Sequence, residues 1–345
     1  MQQGVNAESL AAWWEDHVAG SHAPLHIELV AGGHSNLTYR VCDAGGRSFA
    51  LRRPPLGQLP RSAHDVLREY RILVALKPTR LPVPAVVAQC DELDVIGAPF
   101  YVMHWVDGTI VDCPDTVAQF LPDHTSRERA AFSLIDSLAD LHTLNVDAIG
   151  LGELGPRVDY VPRQLKRILR MWDQTKTREL PMIESLHARL LCGRPEQRYT
   201  GLAHADYRLG NVIIGADATV VAVLDWELCA LGDVLTDVGF LLANWDEPQD
   251  DRANVWMQVP PTRAGGFPDR EALVGRYARR TGFDIDNLNY YRAFAYWRIA
   301  VIAEGIKRRY ETGAMAEHAA DPAELDRCVR ARAELADRFL TLAGN

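Results

Sequence analysis

The segment from Leu202 to Asn244, LAHADYRLGNVIIGADATVVAVLDWELCALGDVLTDVGFLLAN, restricts the fold more than any other. Two short apolar runs, Val212–Ile214 and Val220–Leu224, flank a turn at Gly215-Ala216-Asp217, which is the pattern of a β-hairpin. Polar residues stand at both ends of it. Asp206 and Asn211 precede it in the spacing His204-x-Asp206-x-x-x-x-Asn211, and Asp225 follows directly. A hairpin returns its ends to one another, so Asp225 is expected to come back to the neighbourhood of Asp206 and Asn211. Two carboxylates and an amide gathered in this way offer oxygen ligands to a divalent cation and leave one carboxylate to orient a hydroxyl. Read singly, each of the three fits the role of a turn former equally well.

Taken together, these residues resemble the catalytic loop of the protein-kinase-like superfamily, in the form used by aminoglycoside phosphotransferases. Asp225-Trp226-Glu227 stands where those proteins carry the second magnesium-binding acid, and LDWELCALGD is closest to the branch that also occurs fused to acyl-CoA dehydrogenases. The resemblance implies that Asp206 is the catalytic base and that Asn211 and Asp225 hold Mg²⁺. It also implies ATP, or GTP, as co-substrate.

The N-terminal third carries further matches. His26–Val30 and Leu37–Val41 read as strands around Gly32-Gly33-His34-Ser35-Asn36. Glycine lets the backbone approach an anion there, and loop amides and Ser35 can donate to it; taken alone, the segment is an ordinary hairpin turn. In the resembling family this GG-x-SN pattern is a nucleotide loop, which makes Gly33, His34, Ser35 and Asn36 candidate nucleotide contacts. A third strand, SFALR, ends on Arg52. By the resemblance Ala50 lies against the adenine, and Arg52 takes the place of the lysine that grips the phosphates. The swap is not conservative, because guanidinium is larger and planar. Strand alternation sends Arg53 to the other face.

Residues 63–76 read as a helix with Val66, Tyr70, Leu73 and Val74 on its apolar face. Its Glu69, which taken alone is an ordinary solvated helix residue, is by the resemblance the acid that pairs with Arg52. The run FYVMHWVDG resembles the last strand of a small lobe and the hinge after it. On that reading Met103 backs the adenine pocket, and the main chain of His104 and Val106 meets the base.

Net charge is −9, with 46 acidic against 37 basic residues, which argues against nucleic acid as a partner. Six cysteines are scattered without a CxxC pair and read as reduced, mostly buried thiols of a cytoplasmic protein. The N-terminus lacks the basic start of a signal peptide, and no apolar run approaches the roughly 20 residues of a membrane span. Gly150-x-Gly152-x-x-Gly155 spells a dinucleotide fingerprint but follows a helix instead of a strand, and so is rejected. A long helix is expected over 125–144, and largely helical chain over 160–191 with a break near Pro181. Asp233 reads as a helix N-cap and Asp237 as a partner of loop amides or His204. Residues 245–267 read as a mobile loop near the acceptor side, and 290–310 as a helix whose basic end complements its dipole.

The expected fold is α+β and protein-kinase-like. A small β-sheet lobe over residues 1–106 binds nucleotide, and a mainly helical lobe over 107–345 carries catalysis and acceptor. The implied activity is transfer of a γ-phosphoryl group to a hydroxyl on a small molecule, with no membrane or nucleic-acid partner. A nucleotide-binding pseudokinase without chemistry is the alternative, favoured by Arg52.

Overall fold

Short β-branched and aromatic runs alternate with turns in the first hundred residues, and they fold accordingly. In the computed structural model, which describes residues 4–31, 36–56, 65–250, 259–313 and 321–344, the chain forms two compact units. The first comprises Met1–Gly108 together with Val221–Glu227. It contains α1 (Ala7–His17), β1 (His26–Ala31), β2 (Leu37–Cys42), β3 (Ser48–Arg53), α2 (Val66–Leu76), β4 (Val86–Cys90), a one-turn α3 (Leu93–Ile96) and β5 (Phe100–His104). The five strands make one antiparallel sheet in the order β1-β2-β3-β5-β4.

Alternation divides this sheet into two working faces. Tyr39, Val41, Phe49, Leu51, Phe100 and Val102 bury one face against Leu10, Trp13 and Trp14 of α1. Trp13 meets Phe100 and Trp14 meets Phe49 edge-on, at centroid distances of 4.8 and 5.3 Å. The other face carries Ala50 opposite Met103 and Arg52 opposite Tyr101. α2 is capped by Asp65, whose side chain accepts from Arg68 N, and it packs on β4 and β5. Its buried stripe is Val66, Glu69, Ile72, Leu73 and Leu76. Val74, expected in that stripe, is exposed. The stripe follows the spacing i, i+3, i+6, i+7, i+10; Val74 falls off it, and Glu69, expected as the partner of Arg52, lies within it.

The second unit comprises Thr109–Val220 and Leu228–Asn345. Its elements are α4 (Pro114–Phe120), α5 (His124–His142), α6 (Tyr160–Thr175), α7 (Pro181–Cys192), β6 (Thr200–Ala203), β7 (Val212–Ile214), the start of β8 (Val220–Val223), β9 (Ala230–Asp233), α8 (Leu235–Ala243), α9 (Arg270–Thr281), α10 (Leu288–Glu311) and α11 (Pro322–Ala343). β6 pairs antiparallel with β9, and the turn after β7 closes with Gly215 N donating to Thr219 O at 2.8 Å. α10 is buried nearly all round and packs against α6, α7, α8 and α11. Its crossing with α8 is close at Gly239, where a Cβ would stand 2.5 Å from the Tyr291 backbone. The Gly150–Gly155 stretch lies in the turns between α5 and α6, outside any strand-to-helix junction.

Two expectations change here. The flanks of the 245–267 segment are held, not loose. Trp245 is buried and donates to Pro268 O at 3.0 Å, Asp246 pairs with Arg263, and Glu247 and Asp250 pair with Arg270; residues 251–258 lie outside the described ones. Lys307, read as a dipole complement, is buried and pairs with Asp326 at 3.3 Å. Of the cysteines, Cys90, Cys229 and Cys328 are buried, Cys42 and Cys113 half-buried, and Cys192 exposed. Among the described residues no helix is long and apolar enough to cross a membrane.

Candidate functional site

In the first unit, β3 delivers Arg52 to the face opposite α1, and α2 brings Glu69 to the same place from its buried stripe. Arg52 Nε donates to Glu69 Oε2 at 2.9 Å, and its Nη2 pairs with Asp225. The other Glu69 oxygen accepts the Trp226 amide at 3.1 Å. Trp226 is buried, with its indole donating to Val223 O at 3.0 Å, so the residue after Asp225 fixes that segment against α2. Asp225 has φ +65°, a left-handed conformation that few non-glycine residues adopt and that concentrates at functional sites.

Burial pushes the Glu69 carboxyl up, and the Arg52 charge offsets this only in part. For Arg52, burial acts downward but Glu69, Tyr101 and Asp225 outweigh it and hold the guanidinium above its ordinary value. Tyr101 was not singled out from sequence; buried beside Glu69, its hydroxyl is pushed well up, by burial first and by that carboxylate second. Arg53 points away, donating to the Gly4 and Ile96 carbonyls. Met103 is buried opposite Ala50. The His104 side chain lies on the other face, stacked on Phe49 at 5.5 Å, and its amide donates to Ala85 O at 2.8 Å. Only its carbonyl is therefore left to face a base, which narrows the expected hinge contact; Val106 lies two residues past the end of β5. Gly33, His34 and Ser35 fall outside the described residues. Asn36 is buried, and neither its Nδ2 nor its Oδ1 has a hydrogen-bond partner among the described residues.

In the second unit, Asp206 and Asn211 clasp each other. Asn211 Nδ2 donates to the Asp206 carboxylate at 2.6 Å and to its carbonyl at 2.7 Å. The loop that holds them is built on Asp237, which α8 presents fully buried. Asp237 accepts the His204 amide at 2.6 Å, the Ala205 amide at 2.8 Å and His142 Nε2 at 3.2 Å. His142 continues to Tyr277, whose hydroxyl is 2.7 Å from Nδ1. Burial opposes the charge on Asp237, but these donors, His142 first, hold its carboxyl below the ordinary value. Asp237 thus takes the loop-amide role expected of it. Sequence reading missed His142 and Tyr277, because their spacing from the loop carries no local signal. Ala205, the residue before Asp206, has φ +67°, in the left-handed region. Arg208 Nε lies 3.9 Å from Asp206 Oδ1.

Asp233, expected as an N-cap, stands one residue before the cap, Val234. Its carboxylate still takes the first helical amide, Leu235 N at 3.2 Å, and the Tyr291 hydroxyl at 2.7 Å. Burial pushes it up to about 6. Its folded value lies above the unfolded one, so its contribution to stability falls as pH rises from about 4 to 6. Asp233→Asn should remove that slope. Urea midpoints at pH 4.5 and 7 should show the variant gaining on wild type by on the order of 2–3 kcal/mol at the higher pH.

Taken within each unit separately, the residues present have the chemistry that suits Mg²⁺ and a nucleotide. Holding Nδ2 of Asn211 against Asp206 turns its Oδ1 away as an oxygen donor, and Asp225 keeps a second carboxylate oxygen beyond the one given to Arg52. The buried Asn36 side chain, with no hydrogen-bond partner among the described residues, has both its amide groups open to one.

The family model described as APH, phosphotransferase enzyme family, matches residues 26–294. Acyl-CoA dehydrogenase family member 10 of Mus musculus is 34% identical over 331 residues, which are 94% of this chain but 30% of that protein. The chain therefore spans less than a third of the length of that curated relative. The crystal structure of a candidate aminoglycoside phosphotransferase from Ralstonia eutropha superposes with TM-score 0.79 at 31% identity, covering 97% of this chain and 98% of that one. Amicoumacin kinase in complex with AMP-PNP, Ca²⁺ and Ami shares the fold at TM-score 0.63 and 14% identity, over 96% of this chain and 94% of its own. The chain belongs to the aminoglycoside-phosphotransferase-like phosphotransferase family, in the branch that includes the acyl-CoA dehydrogenase family members.

Proposed function

We propose that the chain transfers the γ-phosphoryl group of ATP, or of GTP, to a hydroxyl of a small molecule. The observation that carries this reading is the Asp206–Asn211 clasp, which fixes a carboxylate by an amide and leaves that amide's oxygen uncommitted to Asp206. Asp206 orients the acceptor hydroxyl and takes its proton as the oxygen bonds to the γ-phosphorus. The bond from that phosphorus to the β-phosphate oxygen breaks, and the nucleoside diphosphate leaves. Arg52, positioned by Glu69, and the Gly33–Asn36 loop neutralise phosphate charge, while Met103 and the main chain of His104 and Val106 receive the base. Asn211 and Asp225 are the ligands for Mg²⁺, which when bound draws negative charge from the phosphate oxygens. Positioning and electrostatics supply most of the rate in such a reaction.

Thermal unfolding with and without ATP and Mg²⁺, on wild type and Asp225→Ala, tests the site. A ligand at about 100 times its Kd adds roughly 2.7 kcal/mol, worth about 5–10 °C. The shift should need magnesium and disappear in the variant; no shift in wild type removes the nucleotide assignment. For the acceptor, membership of the acyl-CoA dehydrogenase branch favours hydroxyacyl thioesters and the family name favours aminoglycosides. A screen of phosphorylated products over both classes decides, and transfer to neither sinks both.

A second reading, a nucleotide-binding module without catalysis, is favoured by the Arg52 guanidinium being shared between two carboxylates. Labelled ATP incubated with a broad metabolite pool separates the two, because only the first reading yields labelled product.

A further inference from the structure

The second unit carries a concentration of positive charge that phosphoryl transfer as described does not use. α6 buries Val161, Leu165, Ile168 and Trp172. Turned the other way, at the spacing i, i+3, i+4, i+7, are Arg163, Lys166, Arg167 and Arg170, with no acid among them. The hydrogen-bond partners of the three arginines are the Pro156 carbonyl, the Gln164 side chain and the Lys166 carbonyl. Among the described residues none of the four makes an ion pair. A solvated basic face alone would be ordinary, although it stands out in a chain of net charge −9.

The second observation is Arg298 on α10, the helix against which α6 packs. Arg298 is only 8% exposed. Its guanidinium lies 4.8 Å from the centroid of the Phe240 ring, and among the described residues it has neither a hydrogen bond nor a carboxylate partner. Arg167 is close enough that the Arg298 charge, after burial, helps push its guanidinium below the ordinary value. Both arginines also act on the buried hydroxyl of Tyr160, the first residue of α6. Its ring covers Gly232 so closely that a Cβ there would stand 2.1 Å away. Phe240 is three residues after Asp237 on α8, so the guanidinium sits over the same helical face that supports the catalytic loop.

A buried cation without a counter-ion is unfavourable, and a second cation beside it makes it more so. The aromatic face of Phe240 offsets this only in part. Such an arrangement is explained when an anion from outside completes it. Guanidinium suits a phosphate-type oxyanion through paired, charge-assisted hydrogen bonds.

We propose that Arg298, with Arg167 and the basic face of α6 leading to it, is an anion subsite that selects acceptors carrying a phosphate-type group. The word acceptor rests on the phosphoryl-transfer reading; the anion site itself does not. Polycationic acceptors are disfavoured by the same charges.

Inorganic pyrophosphate is the probe, read by thermal unfolding and calorimetric titration of wild type, Arg298→Met and the exposed variant Arg167→Gln. Wild type should be stabilised by pyrophosphate. Arg298→Met should lose that shift while matching or exceeding wild type in Tm without the probe, since an unpaired buried charge has gone. Arg167→Gln, at an exposed position on α6, should weaken pyrophosphate binding about ten-fold. No shift in wild type, or an undiminished shift in Arg298→Met and Arg167→Gln, overturns the subsite. Turnover with labelled ATP then compares hydroxyl compounds with and without a phosphate group. Transfer confined to the phosphate-bearing ones, with KM raised and kcat kept in Arg167→Gln, supports the acceptor assignment, and equal transfer to polyamine sugars overturns it. Pyrophosphate binding that needs Arg298, with no transfer to any compound, supports the anion site and removes the transfer reading instead.

Discussion

Asp206→Asn is expected to bind nucleotide as wild type does and to lose turnover by a factor on the order of 10²–10⁴, the usual worth of a positioned general base. The substitution preserves shape. Asn211 donates to both the side chain and the carbonyl of Asp206, and an asparagine there keeps an oxygen for the first and leaves the second untouched. The loop amides of His204 and Ala205 are held by Asp237 and not by Asp206, so that support of the loop is unchanged in the variant. What disappears is the negative charge and the ability to take a proton. Rapid-quench measurement of product, paired with the ATP–Mg²⁺ thermal shift, separates the two effects. A variant with unchanged shift and retained turnover removes the base assignment. One that loses both points to Asp206 as a binding residue.

Much of this organisation was legible because it is written in short periods. Alternation alone separated Arg52 from Arg53, and the structure sends them to opposite faces of β3. The spacing of Asp206 and Asn211 was readable because both lie on one loop. Glu69 is legible as the partner of Arg52 only through the resemblance, and the apolar face expected of its helix includes Val74, which is exposed. A buried acid mimics a surface one in any hydropathy pattern, so the true stripe through Glu69 could not be read from period alone. The β6–β9 ladder joins Thr200–Ala203 to Ala230–Asp233 across the catalytic segment, and four-residue strands give too little periodicity to recognise. His142 and Tyr277 are separated from Asp237 by long stretches of chain, and their convergence follows from the packing of α5, α8 and α9. Arg298 was invisible for the same reason, since an arginine in a helix reads as solvated until its neighbours are known.

Asp237→Ala should be the most damaging single change in the second unit. One carboxylate satisfies two backbone amides and one imidazole at a position with no access to water. Its removal leaves three buried donors without acceptors. Deleting one partner of a buried charged network typically costs about 3–5 kcal/mol, equivalent to a fall in Tm of roughly 10 °C. Asp237→Asn keeps the volume but replaces one acceptor by a donor facing another donor, so it should fall between wild type and the alanine variant. The Asp237 carboxyl is held below its ordinary value, with burial opposing and His142 and the loop amides prevailing. Its stabilising contribution is therefore present above the unfolded carboxylate pKa of about 3.9 and is lost as pH falls through the lower folded value. Denaturant unfolding from pH 3 to 7 should show a shallower acid limb in Asp237→Ala than in wild type. Because Asp237 holds the His204 and Ala205 amides that directly precede Asp206, turnover should fall even at temperatures where the variant remains folded. Retained kcat in a destabilised Asp237→Ala would mean that the loop keeps its shape without its support, and that Asp237 serves stability alone.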